Sequence, residues 1–369
     1  MYKINATEFF FRAVVSSCLI FVSPFLLAGS ETQQDRLDVP AAFSTQVNRT
    51  IKLSLASQNN SVIAVGLRGE VSVSSDKGNS FIQKKIMLSS DLTTTRFTQE
   101  GSLWVLGHDA VMLRSRDLGN TWQRVLDGRS TFALLNDYYQ QLSNNGNKEA
   151  ALTLRDIKRS VDPLPTPDIL PYPFFDISIN DNGEGFAVGA FGLLLKTNDG
   201  GHTWQPWMER ADNSWGYHIY SVQQFDDHVY LAGERGFLRH LNKTTGTFER
   251  IETPFEGTYF GAYVNKNILQ VYGLRGRVYS SSDNGINWQH INLDTDSTVI
   301  SLLTPESGEF IYVTQKGEFF VSSEHGQNAV SMASNVTGEI LSAALIGQDR
   351  IALAQYNGIK IVLLSSLLK

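Results

Sequence analysis

Cysteine is almost missing from this chain: Cys18 is the one copy in 369 residues. A disulfide framework and an iron–sulfur cluster are therefore excluded, and so is a thiol nucleophile once the N-terminal segment is gone. Charge is sparse too. Asp, Glu, Lys and Arg make up 18% of the residues, they are scattered, and the net charge is −6. Without basic blocks the chain does not read as a nucleic-acid binder. No long apolar run occurs beyond the N-terminus. No His, Cys, Asp and Glu set has metal-ligand spacing. No glycine-rich phosphate loop follows a strand, and no Gly-x-Ser-x-Gly elbow appears. Nothing in the sequence calls for a cofactor or a metal.

The one apolar run, Ala13–Leu27, follows Lys3 and Arg12 and precedes Ala28-Gly29-Ser30. It is about fifteen residues long, short for a spanning helix of about 20. The pattern predicts a signal peptide over residues 1–30, cut after Ser30, with no integral span left behind. A retained anchor is the alternative. Val15-Ser16-Ser17-Cys18 is loosely like a lipoprotein cleavage site, but the apolar run continues past it. The expected location is outside the cytoplasm, in the periplasm, free or membrane-associated.

What the sequence does have is repetition. Four loops share the form x-Asp-x-Gly-x-(Ser/Thr/Asn)-(Trp/Phe). They carry Asp76 with Gly78, Asp117 with Trp122, Asp199 with Trp204, and Asp283 with Trp288. The Asp side chain closes such a turn on backbone N–H groups. The Gly supplies positive φ, and the aromatic returns the chain to a strand. These Asp residues read as turn formers, not as catalytic acids, and the catalytic set is expected to be empty.

A strand–turn–strand unit precedes each loop and recurs without it. Its turn positions fall at 69, 110, 192, 236, 276, 317 and 358. Their spacing is about 41 residues except for one gap of about 82, matching a four-stranded propeller blade. Seven positions predict an all-β fold, a seven-bladed β-propeller occupying residues 31–369 as a single domain. The long gap holds Phe132, Leu135, Tyr139 and Leu142, then Ala150, Leu154, Ile157 and Val161, both at helical spacing. A helical hairpin over about residues 130–162 is thus expected between blades two and three. The last repeat stops after its third strand, so an N-terminal strand at about residues 38–47 is expected to complete it.

The turns between second and third strands share a face with the connections between blades. On that face fall Arg68, Arg235, Arg275 and Lys316, the helical hairpin, and the aromatics Trp207, Trp215, Tyr217, His218, Phe255, Tyr259 and Phe260. Guanidinium groups favour carboxylate or phosphate, and Arg with aromatics is the composition of interface hot spots. Arg68, Arg235, Arg275, Lys316, Trp215 and Tyr259 are therefore the candidate partner-binding residues. The plain alternatives are solvated arginines, or local pairing such as Arg68 with Glu70, and aromatics that belong to the core.

The loops resemble the Asp-box, or BNR, repeat of β-propellers. That group includes sialidases, which implies a competing reading as a glycan-binding protein or sialidase-like glycoside hydrolase. Arg68, Arg235 and Arg275 would then mimic an arginine triad, with Tyr259 and Glu234 as nucleophile and partner. The Arg-Ile-Pro segment of sialidases is missing, and their discs have six blades. The run Gly185–Trp204, together with Ile251–Gly261, resembles more closely the photosystem II stability/assembly-factor family of propellers, over about residues 37–364. In particular it resembles a bacterial branch with a helical insert after the second blade, associated with resistance–nodulation–division (RND) exporters. The resemblance implies a non-catalytic exported assembly or accessory factor. Its partner would be a membrane-protein complex or the exported subunits of one, with Arg68, Arg235 and Arg275 in the family's arginine patch.

Overall fold

The computed structural model describes residues 35–98, 100–163, 166, 168–266, 268–323 and 329–367. The expected signal peptide lies outside them. Asp35–Lys369 forms one compact unit. Its described residues form seven antiparallel sheets, each built from consecutive strands, of which six have four strands and the seventh has three. This is the seven-bladed propeller that the repeat spacing predicts.

Each sheet is a run of short hairpins, and its period-2 alternation buries both faces against the neighbouring blades. In blade one the strand Ser61–Gly66 is buried throughout. Apolar side chains gather into seven clusters, one per seam between adjacent blades, rather than one central core. The seam between blades seven and one is the alanine-rich one, with Ala64, Ala344, Ala352 and Ala354.

A second device joins the blades nearer the axis. Every innermost strand carries a bulge at the same place, before Ser54, Thr94, Asp176, Ser221, Gly261, Ser301 and Ser342. The bulge frees backbone groups from the ladder, and the side chain just after it reaches the next blade. Thr95 N–H donates to Ser54 Oγ at 3.3 Å, Val222 N–H to Asp176 Oδ2 at 3.1 Å and Ala262 N–H to Ser221 Oγ at 3.4 Å. Ala343 N–H donates to Ser301 Oγ at 3.1 Å and Leu55 N–H to Ser342 Oγ at 3.2 Å. At the second seam the direction reverses, and Thr94 Oγ donates to the Phe175 carbonyl at 2.6 Å. Gly261 has no side chain to offer, and there the Tyr272 hydroxyl bonds the Leu302 backbone instead.

The ring closes differently from expectation. Residues 38–46 form no strand, and a single 3-10 turn follows at Val47–Arg49. Pro40 lacks the N–H a strand would donate. The segment lies along blade one instead. Ala41 N–H donates to the Ile86 carbonyl at 3.0 Å, and Gln83 holds both Ser44 N–H and the Ala42 carbonyl. Leu37 and Ala41 bury in the seam between blades one and two. Among the described residues blade seven has three strands, and it meets blade one through side chains, including Arg350 Nη1 on the Lys77 carbonyl at 3.2 Å.

The helical hairpin is present after blade two, as α1 (Gly128–Asn144) and α2 (Lys148–Val161). Asp127 caps α1 in a reciprocal box with Ser130, and Asn147 caps α2. Ala150, Leu154, Ile157 and Val161 of α2 are buried, as are Leu135 and Tyr139 of α1. The phenols of Tyr138 and Tyr139 donate to the two carboxylate oxygens of Glu209, each at 2.8 Å, tying the hairpin to the connection that leaves blade three.

Candidate partner-binding face

The turn between second and third strands is the same tight device in several blades. Arg68, Asp109, Phe191, Arg235 and Arg275 occupy its left-handed position, with φ between 51° and 57°. Glycine follows four of them, also left-handed. This is the backbone that two-residue hairpins prefer, normally filled by Asn or Gly. A bulky residue there costs about 1 kcal/mol, so three arginines in this position are a sequence choice that local stability does not favour.

The side chains of Arg68, Arg235, Arg275 and Lys316 are all exposed. Among the described residues none of the four enters an ion pair. Arg68 uses only its backbone N–H, on Asp91 Oδ1 at 2.7 Å. The local pairing of Arg68 with Glu70 does not occur, because Glu70 is taken by the buried Lys52. Lys316 sits in a turn of another build, with Gly317 as its left-handed residue.

The aromatic candidates divide. Trp215 is 81% exposed. Tyr259 is fully buried: its hydroxyl donates to the Phe255 carbonyl at 3.3 Å, and burial pushes its pKa well above the usual phenol value. As the first residue of an innermost strand it packs into the seam between blades four and five, so it is neither an interface residue nor an accessible nucleophile. Glu234 is likewise engaged, accepting the His218 N–H at 2.8 Å. Trp207 is core.

Nothing in the repeat pattern announces the axial cavity. The bulge residue of every blade lines it, from Leu53 and Thr93 through Phe175, Tyr220 and Phe260 to Ile300 and Leu341. Its volume is about 340 Å³. These residues stand at the starts of the innermost strands, the end that pairs with the arginine-bearing turns. Arg96 is the ionic group in its lining. Its Nε donates to Asp176 Oδ1 at 2.9 Å and its Nη1 to the Thr95 carbonyl at 3.3 Å. The Asp176 carboxylate beside it raises the pKa of the guanidinium still further. Rings at 4.6–6.1 Å connect Tyr172 and Phe191 through His218 to Phe175, Tyr220 and Phe260 at the cavity wall.

The Asp boxes all join third to fourth strands, and so lie at the opposite ends of the sheets. In each, one Asp oxygen accepts the N–H four residues on, for instance Thr121 N–H on Asp117 at 2.8 Å. A feature not anticipated is the hydroxyl two residues before the Asp: Ser74, Ser115, Thr197 and Ser281. Each donates to the Asp and accepts the N–H of the box glycine. The side chain four residues on (Ser80, Thr121, Thr203 or Asn287) also donates to the carboxylate, and together with the backbone N–H and the preceding hydroxyl it holds Asp76, Asp117 and Asp283 down to a pKa of about 2 and depresses Asp199 as well. A carboxylate so committed is a fastener. Trp204 buries at its box, while Trp122 and Trp288 are half-buried.

Among the described residues no group of three or more His, Cys, Asp or Glu could hold a metal ion. No helix there is long and apolar enough to cross a membrane.

Residues 164–362, more than half of the chain, match the family described as Photosynthesis system II assembly factor YCF48. Similar proteins include the photosystem II assembly lipoprotein Ycf48 of Synechococcus sp. (strain CC9902), 23% identical over 46% of this chain and 51% of the relative. That of Trichormus variabilis is 31% identical over 42% of this chain and 46% of the relative. The chain thus spans about half the length of the curated relatives it matches. Among solved structures, YCF48 bound to D1 peptide superposes with a TM-score of 0.60 at 15% identity, covering 89% of this chain and 98% of that one. The same fold is seen in YCF48 from Cyanidioschyzon merolae, again with a TM-score of 0.60.

Proposed function

This chain belongs to the Photosynthesis system II assembly factor YCF48 family, and from that premise we propose that it is a non-catalytic exported accessory factor that captures a segment of a membrane-protein complex. One observation carries the reading. Arg68, Arg235, Arg275 and Lys316 present unpaired cations at the end of the blades where the Arg96 cavity begins. Three of them do so from a backbone position that local stability does not favour. Cations held on rigid hairpins suit an acidic segment or a chain-terminal carboxylate. A relative in this family has been solved with a D1 peptide bound, and a peptide ligand is the class proposed here. The resemblance to the bacterial branch makes an RND-type exporter, or an exported subunit of one, the first partner to test.

The test is binding of the exported protein to membranes of its own host, crosslinked and compared with an Arg68→Glu/Arg235→Glu/Arg275→Glu variant. The expected result is loss of the crosslinked partner with an unchanged circular dichroism spectrum. Capture that persists in the triple variant overturns the reading. Turnover of sialosides would favour the hydrolase reading instead.

A further inference from the structure

A second concavity lies on the same face, between α2 and the connection leaving blade three. Its volume is about 740 Å³, well within the range of ligand-binding clefts. Leu152 of α2, Phe191 and Trp215 line it, and they are 52%, 52% and 81% exposed. Single exposed apolar residues need no explanation, but three converging in one groove do. Phe191 holds the left-handed turn position that arginine holds in blades one, four and five, so this blade presents an apolar group where the others present charge.

The charged lining is mostly acidic: Glu149, Asp156, Glu209 and Asp212 stand against Arg210. Asp212 is paired with Arg239 at 3.0 Å and Asp156 with the exposed Arg155 at 3.2 Å, and Glu149 enters no ion pair among the described residues. Arg210 is already committed: its guanidinium lies 4.8 Å from the Trp207 ring centre and its Nε donates to Glu209 at 3.3 Å. The walls are also fixed in advance. Glu209 is clamped by Tyr138 and Tyr139. Asn213 brackets Tyr217 through Nδ2 on its carbonyl at 2.9 Å and Oδ1 on its N–H at 3.0 Å, which sets the loop that carries Trp215.

We propose that this groove docks a partner segment of opposite character to the one drawn to the arginine face: an apolar peptide bearing lysine or arginine. Its aliphatic side chains would cover Leu152 and Phe191. Its cation would meet the carboxylates of Glu149 and Asp156 and the open ring face of Trp215, the best aromatic surface for a cation. The two sites would let one propeller hold an acidic and a basic segment at once.

The experiment uses the exported protein and two labelled, amidated nine-residue peptides, one alternating Leu with Lys and the other Leu with Glu, read by fluorescence anisotropy. The Lys peptide is expected to bind, to weaken with salt, and to lose at least about tenfold in affinity in Trp215→Ala and in Glu149→Lys/Asp156→Lys. The latter variant is expected to gain affinity for the Glu peptide. Glu306→Lys/Asp349→Lys makes the same charge change at the opposite strand ends and is expected to leave binding intact. The Arg68→Glu/Arg235→Glu/Arg275→Glu protein is expected to bind the Lys peptide normally, which separates this site from the arginine face. Equal loss in both Lys double variants would mean diffuse charge attraction and overturn the proposal. So would unchanged binding in Trp215→Ala, or self-association of the protein that this substitution abolishes.

Discussion

A Cβ on Gly261 would stand 2.2 Å from both Cζ and the hydroxyl of Tyr272. The phenol fills the place where the other blades carry Ser, Thr or Asp, and it makes their bond to the next blade in their stead. Two residues on neighbouring strands have thus exchanged one job. Burial pushes the phenol up to about 12, so it stays protonated throughout the physiological range.

The exchange predicts strong coupling. Tyr272→Phe removes the bond to Leu302 and should cost about 1 kcal/mol. Gly261→Ser alone should cost more, because its side chain meets the ring. Gly261→Ser with Tyr272→Ala frees the space and restores the hydroxyl pattern of the other blades. Chemical denaturation of the cycle is expected to give a double variant milder than the sum of Gly261→Ser and Tyr272→Ala. Additivity would mean that the two side chains do not share a site.

Asp176 is the other exception in the axial ring, a carboxylate at a position where four blades use serine. It is fully buried and neutralised by Arg96. Removing one member of such a pair strands a buried charge, whereas replacing both can be nearly neutral. The guanidinium is 43% exposed to the cavity, so Arg96→Leu is expected to destabilise by less than a fully buried pair would, about 1–2 kcal/mol. Arg96→Leu with Asp176→Ser is expected to recover most of it, measured by the shift in the denaturation midpoint at constant slope. A double variant as unstable as the single would place the cost in lost packing around Arg96.

The left-handed arginines set stability against binding. Asn tolerates their backbone far better, so Arg68→Asn, Arg235→Asn and Arg275→Asn are each expected to be neutral or stabilising, by up to about 1 kcal/mol. Each is expected to weaken capture of an acidic partner. Thermal melts paired with binding titrations would check both, and a substitution that destabilises without affecting binding would assign that arginine to the scaffold.

The Asp boxes make a pH prediction with a definite sign. Asp76, Asp117 and Asp283 have folded-state values of about 2, below the ordinary carboxylate value of 3.8. Their contribution is complete above pH 4 and is lost as pH falls from there through about 2. Ser115→Ala removes a hydroxyl that bonds both Asp117 and Gly119. Carboxyl titration by NMR is expected to show Asp117 rising toward its ordinary value in that variant. An unmoved Asp117 would mean that the Thr121 bonds alone set it.

The periodicity made much of this legible. Seven turns at nearly constant spacing fixed the blade count, and the apolar positions of Ala150, Leu154, Ile157 and Val161 marked the buried face of α2. Residues 38–47 misled because Val39, Ala41 and Phe43 alternate like a strand, and only the neighbouring Gln83 and the Ile86 carbonyl reveal what holds that segment. Tyr259 misled because an aromatic at a blade junction looks the same in sequence whether it faces solvent or the seam. The axial ring was hidden for another reason. Its residues differ in identity from blade to blade, and they align only once the bulge before each is known. The hydroxyl ahead of every Asp box was there to be read, since Ser74, Ser115, Thr197 and Ser281 stand at one fixed spacing.

Closure without an exchanged strand makes each blade local in sequence. Among the described residues no sheet takes a strand from the far terminus. As the chain lengthens, every sheet can be hydrogen-bonded from a stretch of some tens of residues, and only the flat faces need a neighbour. Among the described residues the most sequence-distant meeting is that of blades seven and one, where Ser342, Arg350 and a patch of alanines complete the circle. That junction carries the highest sequence separation in the ring, the kind of contact that slows folding, and the blades themselves are as local as the repeats of a linear solenoid.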